Sequence, residues 1–186
     1  MAVRIIAGTF KGRKLASIRG MAIRPTADRV REALFNILAA RPAEATVLDL
    51  FAGTGALGIE ALSRGARQAV FVDQAAAAIQ VLRKNIALCR IEAHTQVLQW
   101  NILRNLNCLK AHPGAFDLIF IDPPYGRRMI EPTLAHIADN RLASPEALVV
   151  VEHDPSETVA PPSGDFACVD QRRYGLTQLS FFAFQG

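Results

Sequence analysis

The chain has 186 residues, of which 51% are hydrophobic and 20% charged, with a net charge of +4. That is enough for one α/β domain with a real core, and too apolar for a disordered chain. No apolar run approaches the roughly 20 residues that cross a bilayer. The N-terminus MAVRIIAG lacks the apolar stretch and cleavage pattern of a signal peptide. Three widely spaced cysteines, Cys89, Cys108 and Cys168, form no C-x-x-C pair, which argues against a disulfide framework and a zinc site. A reduced, cytoplasmic protein without a metal is expected.

Charge is unevenly spread. Residues 1–31 carry eight basic side chains against Asp28 alone, a net +7, and the remainder nets −3. A basic N-terminal part on a slightly acidic body is the usual electrostatic footprint of nucleic-acid binding. Within it, residues 3–18 predict a β-hairpin, with RIIAG and KLASI flanking TFKGR and Gly12 supplying a positive φ. RPTADRVREALFNIL predicts a helix with Thr26 as N-cap and Asp28 in its first turn. Val30, Leu34, Ile37 and Leu38 share its apolar face. Arg4, Lys11, Arg13, Lys14, Arg24 and Arg29 are the candidate nucleic-acid contacts. Residues 1–40 are expected to be a basic, nucleic-acid-binding extension of a main domain at 41–186.

From residue 45 strands and helices alternate. ATVLDL, QAVFVD, TQVLQW, FDLIFID and ALVVVEH predict strands. ALGIEALSR, AAAAIQVLRKNIALC and residues 102–110 and 129–138 predict helices. Nearly continuous apolar strands argue for a parallel sheet covered on both faces. FACVDQRRYG and TQLSFFAF then predict an appended hairpin turning near Gly175. The expected fold class is therefore α/β, a Rossmann-like, doubly wound mixed sheet.

Two motifs fall at the carboxyl ends of strands, where doubly wound sheets bind ligands. VLDLFAGTGALG places Gly53, Gly55 and Gly58 in a G-x-G-x-x-G turn between strand and helix. Asp73 closes the next strand, 20 residues after Gly53, where an acid can accept both hydroxyls of a ribose. A nicotinamide dinucleotide and S-adenosylmethionine both have that ribose. Asp49, four residues before Gly53, sits badly beside a pyrophosphate and suits a cationic ligand.

The second motif is DPPY, residues 122–125. An exocyclic amine on a nucleobase is a poor nucleophile because its lone pair is delocalised into the ring. The Asp122 carboxylate and the Pro123 carbonyl can accept its N–H groups and favour a pyramidal form. Pro123 and Pro124 hold those acceptors still, and Tyr125 offers a stacking face. The proton leaves after methylation, when the nitrogen is cationic, to Asp122 or water. A rigid turn with a packed tyrosine is the plain alternative. Adenine N6, nicotinamide-dependent hydride transfer and a non-catalytic RNA-binding protein remain open beside guanine N2 at this point.

Four stretches together, RIIAGTFKGRKL, RPTADRVREALFNIL, the glycine-loop segment and RRYGLTQLSFF, resemble the bacterial 16S rRNA guanine-N2 methyltransferase RsmD family of class I S-adenosylmethionine-dependent methyltransferases. The resemblance spans nearly the whole chain. It implies a seven-stranded sheet with its last two strands antiparallel. It implies methylation of one guanine N2 in 16S rRNA, on a partly assembled small-subunit particle, by a monomer. Asp49, Gly53 and Gly55 would border the methionine part of the cofactor, with Phe51 also counted as cofactor-binding. Asp73 would hold the ribose, in place of the commoner glutamate. Asp122, Pro123 and Tyr125 would hold the guanine. After the third strand the family usually shows an acid near the adenine; Asn101 stands there in this chain, next to Trp100. His153 is expected to be a satisfied structural histidine.

Overall fold

The computed structural model describes residues 3–18, 25–160 and 164–185. Seven strands form one sheet: β1 Thr46–Leu50, β2 Gln68–Asp73, β3 Thr95–Gln99, β4 Phe116–Ile121, β5 Ala143–His153, β6 Phe166–Tyr174 and β7 Thr177–Phe184. Their order is β3-β2-β1-β4-β5-β7-β6. The first five are parallel, and β7 runs antiparallel between β5 and β6. The expected mixed, doubly wound sheet is what the chain forms. Its topological switch point lies between β1 and β4.

Among the described residues four α-helices accompany the sheet: α1 Pro25–Leu38, α2 Ala56–Ser63, α3 Ala76–Cys89 and α4 Ile130–Asp139. Strand alternation divides the core into two layers. Val47, Phe71, Phe120, Val150 and Phe181 face the layer holding Val30, Leu34 and Phe35 of α1, Ile59 of α2, and Leu82 and Ile86 of α3. Leu48, Val70, Ile119, Val149 and Phe182 face the opposite layer, with Ile130, Leu134 and Ile137 of α4. Val3, Ile5 and Leu15 are buried in the first layer, so the N-terminal segment shares the core of the sheet.

Four elements differ from expectation. The N-terminal hairpin is reduced to a single antiparallel bridge between Arg4 and Lys14. Ile5 N–H and Leu15 N–H still donate to the Arg13 and Val3 carbonyls, and Gly12 takes a φ of 80°. Residues 6–10 leave the pairing and turn to α2: Ile6 and Ala7 N–H donate to the Glu60 carboxylate, Phe10 N–H to Ser63 Oγ, and Thr9 N–H to the Ser63 carbonyl. Pro25 is the first residue of α1, a position that suits a residue without an N–H, so Thr26 is helical and not the N-cap. On α1, Phe35 is fully buried and Ile37 is exposed. Residues 102–110 make turns and a 3-10 stretch at Asn107–Leu109 instead of a helix. Ile102, Leu106 and Leu109 are buried all the same. Strand β5 starts at Ala143, before the expected Ala147, because Ala143 pairs with Phe116 ahead of a register shift.

Candidate active site at the carboxyl ends of the strands

Four of the five parallel strands, β1, β2, β4 and β5, carry an acid at or next to their carboxyl ends on the α1–α3 side, and β3 does not. Asp49 follows Val47 in β1, Asp73 follows Phe71 in β2, and Glu152 follows Val150 in β5. Asp122 comes one residue after β4. The register pairs Asp49 with Phe71 on one side and with Phe120 on the other. Four acids thus stand at the carboxyl edge of the sheet, on one side of it.

The glycine loop arranges the first two. Gly53 and Gly55 take φ of 55° and 78°, and Phe51 between strand and loop takes 60°. A left-handed phenylalanine is strained, and its ring packs into the second core layer. Gly53 N–H donates to Asp73 Oδ2 at 2.9 Å, and Ala75 N–H donates to Asp73 Oδ1 at 2.8 Å. Each carboxylate oxygen keeps a lone pair for a further donor. Gly58 N–H, in the first turn of α2, donates to Asp49 Oδ2 at 2.9 Å. A Cβ on Gly58 would stand 2.4 Å from the Phe71 ring and 3.1 Å from that oxygen. Asp49 is only 2% exposed. Burial pushes its carboxyl up to about 7, against the Gly58 hydrogen bond, and the Asp73 charge adds to the rise.

On the other side of the switch point, Pro123 is buried, Pro124 exposed, and Asp122 and Tyr125 half-buried. The Tyr125 hydroxyl donates to Glu152 Oε1 at 2.9 Å and lies 3.2 Å from Thr177 Oγ1. Burial and the Glu152 carboxylate push that hydroxyl above its usual range. It is a neutral anchor, and the tyrosine ring is fixed from its far end.

Asn101 is exposed, and its Oδ1 accepts Leu103 N–H at 3.1 Å. Trp100 packs on the second core layer and donates Nε1–H to the Asn105 carbonyl at 2.9 Å. His153 is buried between the Asp154 carbonyl, 2.9 Å from Nδ1, and Ser180 Oγ, 2.8 Å from Nε2. It is the satisfied structural histidine expected.

The basic candidates divide. Lys11, Lys14 and Arg29 are exposed. Arg4 is exposed, with Nε 3.9 Å from Asp28. Arg13 Nη1 donates to the Leu88 carbonyl at the end of α3, and its guanidinium lies 5.7 Å from the Phe10 ring centre. Arg24 lies outside the described residues.

Four residues escaped the sequence reading. Glu60 is fully buried on α2 and accepts Ile6 N–H at 2.7 Å, Ala7 N–H at 3.0 Å and Arg64 Nε–H at 2.8 Å. Asn85 is fully buried on α3; it accepts Ala16 N–H at 2.7 Å and donates to the Ala16 and Thr54 carbonyls. It ties the N-terminal segment to the glycine loop. Arg31 is buried on α1 and donates Nη2–H to the Arg4 carbonyl and to Asp28. Burial lowers its pKa, and Asp28 foremost, then Glu60 and Glu152, oppose the fall. Glu152 is the fourth. Charged or amide residues inside otherwise apolar helix faces were the available signal for Arg31, Glu60 and Asn85.

A family model described as "Conserved hypothetical protein 95" matches residues 3–183. The chain is 41% identical over 152 residues to the Escherichia coli K12 protein named ribosomal RNA small subunit methyltransferase D, covering 82% of this chain and 75% of that one. It is 35% identical over 181 residues to the protein of that name from Haemophilus influenzae, covering 97% and 93%. The solved structure of Escherichia coli yhhF superposes with a TM-score of 0.85 at 35% identity, covering 100% of this chain and 99% of that one. The chain belongs to the ribosomal RNA small subunit methyltransferase D family.

Proposed function

We propose that this protein transfers the methyl group of S-adenosylmethionine to the exocyclic N2 of a guanine in 16S rRNA. It acts as a monomer in the cytoplasm, on a partly assembled small-subunit particle. The observation that carries the cofactor class is the Asp49–Gly58 hydrogen bond. In a dinucleotide site the N-terminus of the helix after the glycine loop receives a pyrophosphate. Here a buried carboxylate takes that place. A pyrophosphate would face like charge, whereas a ligand bearing an ammonium and a sulfonium is favoured by it. The relatives named as rRNA methyltransferases support the same choice.

When bound, S-adenosylmethionine supplies an electrophilic methyl group. The residues of this chain do the rest. Asp73 is oriented by Gly53 and Ala75 N–H, which leaves it able to accept ribose hydroxyls. Asp49, Phe51, Gly53 and Gly55 border the methionine part, and Asn101 is the polar candidate for the adenine edge. Asp122 and the Pro123 carbonyl accept hydrogen bonds from the two N–H groups of the amine, Pro124 stiffens the turn, and the Tyr125 ring stacks on the base. After transfer, the proton on the cationic nitrogen passes to Asp122 or to water.

The test uses small-subunit particles from a strain lacking the gene, labelled cofactor, and nucleoside analysis of the digested rRNA. N2-methylguanosine is the expected product. N6-methyladenosine in its place would overturn the guanine assignment. Asp122→Ala should lower the rate about a hundred-fold or more, the scale for losing one preorganised polar partner, with S-adenosylhomocysteine affinity unchanged.

A further inference from the structure

The two-residue turn between β6 and β7 lies beside the clamp and has no part in the core. Tyr174 pairs with Thr177 across it. Of the two central residues only Gly175, with a φ of 62°, is left-handed, the pattern of a tight turn led by glycine. Leu176 is 75% exposed, the most exposed large apolar side chain among the described residues. Its neighbour Thr177 places an oxygen 3.2 Å from the Tyr125 hydroxyl. Consecutive Cα atoms are about 3.8 Å apart, so Leu176 stands one residue from the anchor of the proposed base platform. Arg173 Nε donates to the Gly175 carbonyl at 3.2 Å, which stiffens the tip. Arg172 and Arg173 are exposed just behind it; Arg172 Nε donates to Asp170 Oδ2 at 3.0 Å in an exposed pair, which is weak in water, and residues 171–185 contain no acid.

A stiff, basic turn with a projecting apolar side chain beside a nucleobase clamp has a use. A guanine inside a stacked segment must be swung out before its amine reaches Asp122 and Pro123. The vacated position exposes base faces, and an apolar side chain inserted there replaces the lost stacking. A polar tip could not do so.

We propose that the β6–β7 turn is the RNA-facing lip of the active site, with Leu176 wedged into the stack that the target guanine leaves and Arg172 and Arg173 on the adjacent phosphates. The partner is the rRNA segment next to the target. This inference rests on the methyltransferase reading above.

The test compares Leu176→Ala, Leu176→Ser and Leu176→Met on unmethylated small-subunit particles. Because Leu176 is exposed, folding and S-adenosylhomocysteine affinity serve as controls that stay unchanged. The alanine and serine variants should lower kcat for methyl transfer about ten-fold or more, the order expected when unstacking goes uncompensated. Methionine should restore it to within about two-fold. Wild-type rates in both the alanine and serine variants overturn the wedge while leaving the methyltransferase reading intact. A second readout does not depend on methylation. Leu176→Trp adds an exposed indole to a chain whose one tryptophan is Trp100. Its fluorescence should be quenched by an rRNA fragment as the ring stacks on bases. Quenching without any methylated guanine in the wild type would overturn the enzymatic reading, and with it the wedge at a vacated guanine, leaving a base contact at Leu176; absence of quenching with bound RNA in an enzyme that methylates guanine overturns the wedge alone.

Discussion

The Tyr125 hydroxyl is held by Glu152, 27 residues further along the chain, through a 2.9 Å hydrogen bond. The two residues sit on either side of the border between β4 and β5, so Tyr125 is braced by the neighbouring strand rather than by its own loop. A hydrogen bond to a charged acceptor contributes about 1.5–3 kcal/mol, and base stacking on an aromatic ring about 1–3 kcal/mol.

These two terms separate in mutants. Tyr125→Phe keeps the ring and loses the brace, so kcat/KM should fall about ten-fold. Tyr125→Ala loses both and should fall further, mainly through the KM for RNA. Glu152→Gln keeps an acceptor and should stay close to wild type, unlike Glu152→Ala. Steady-state methyl transfer checks the order. A phenylalanine variant as impaired as the alanine variant would show that the ring face contributes nothing.

Asp49 gives a pH prediction. Its folded pKa is raised by burial to about 7, against about 3.9 in an unfolded chain. Between those values the folded state binds more protons than the unfolded state. The group's contribution to stability is therefore complete below about pH 4 and is lost as pH rises through about 7. Asp49→Asn removes this slope, so without cofactor it should be more stable than wild type near pH 8. A cationic ligand prefers the ionised carboxylate. S-Adenosylmethionine affinity should rise with pH from about 6 to 8 in the wild type and stay flat in the variant, with proton release measured by calorimetry in two buffers. A flat wild-type profile would refute the placement of the sulfonium compound beside Asp49.

How much of this was legible beforehand follows from where the partners lie. The glycine loop, Asp73 and DPPY are short runs whose backbone needs (positive φ at Gly53 and Gly55, no N–H at two prolines) are written locally. The alternating apolar strands likewise announced the sheet. Glu60, Asn85 and Glu152 take their meaning from partners 27 to 69 residues away, and nothing in their own neighbourhood names those partners. Residues 102–110 misled for the converse reason. Ile102, Leu106 and Leu109 recur at helical spacing and are buried, but a series of turns buries them equally well. Thr26 misled because Pro25 can open a helix itself.

The N-terminal segment is docked by α2, and a single glycine decides it. Gly8 has a φ of 80°, and a Cβ there would lie 1.8 Å from the Ser63 carbonyl oxygen. Thr9 N–H donates to that same oxygen at 2.8 Å, and Phe10 N–H donates to Ser63 Oγ at 2.9 Å. Gly8→Ala should therefore undock residues 6–10. The Ile6 and Ala7 N–H groups would leave Glu60 buried with Arg64 alone. The expected loss is about 3 kcal/mol or more, the scale for a buried charge deprived of partners. Hydrogen exchange should show new exposure at residues 6–16, and denaturant titration a lower midpoint. Unchanged protection there would mean that the turn is not held as described.

The basic side chains of this segment should behave in two classes. Lys11 and Lys14 are exposed, so replacing them should leave thermal stability unchanged and weaken RNA binding. Each lost phosphate contact should also make the dependence of log affinity on log salt shallower by about 0.7 to 0.9. Arg13 closes the end of α3 through the Leu88 carbonyl and lies over Phe10. Cations at a helix C-terminus contribute about 0.3–1 kcal/mol, so Arg13→Ala should lower the melting temperature measurably while the salt slope changes little. Filter binding across a salt series, run beside thermal melts, distinguishes them. A salt slope that falls in the Arg13 variant as much as in the lysine variants would place Arg13 on the RNA. The structure instead gives that guanidinium partners within the fold, whereas Lys11 and Lys14 stand exposed.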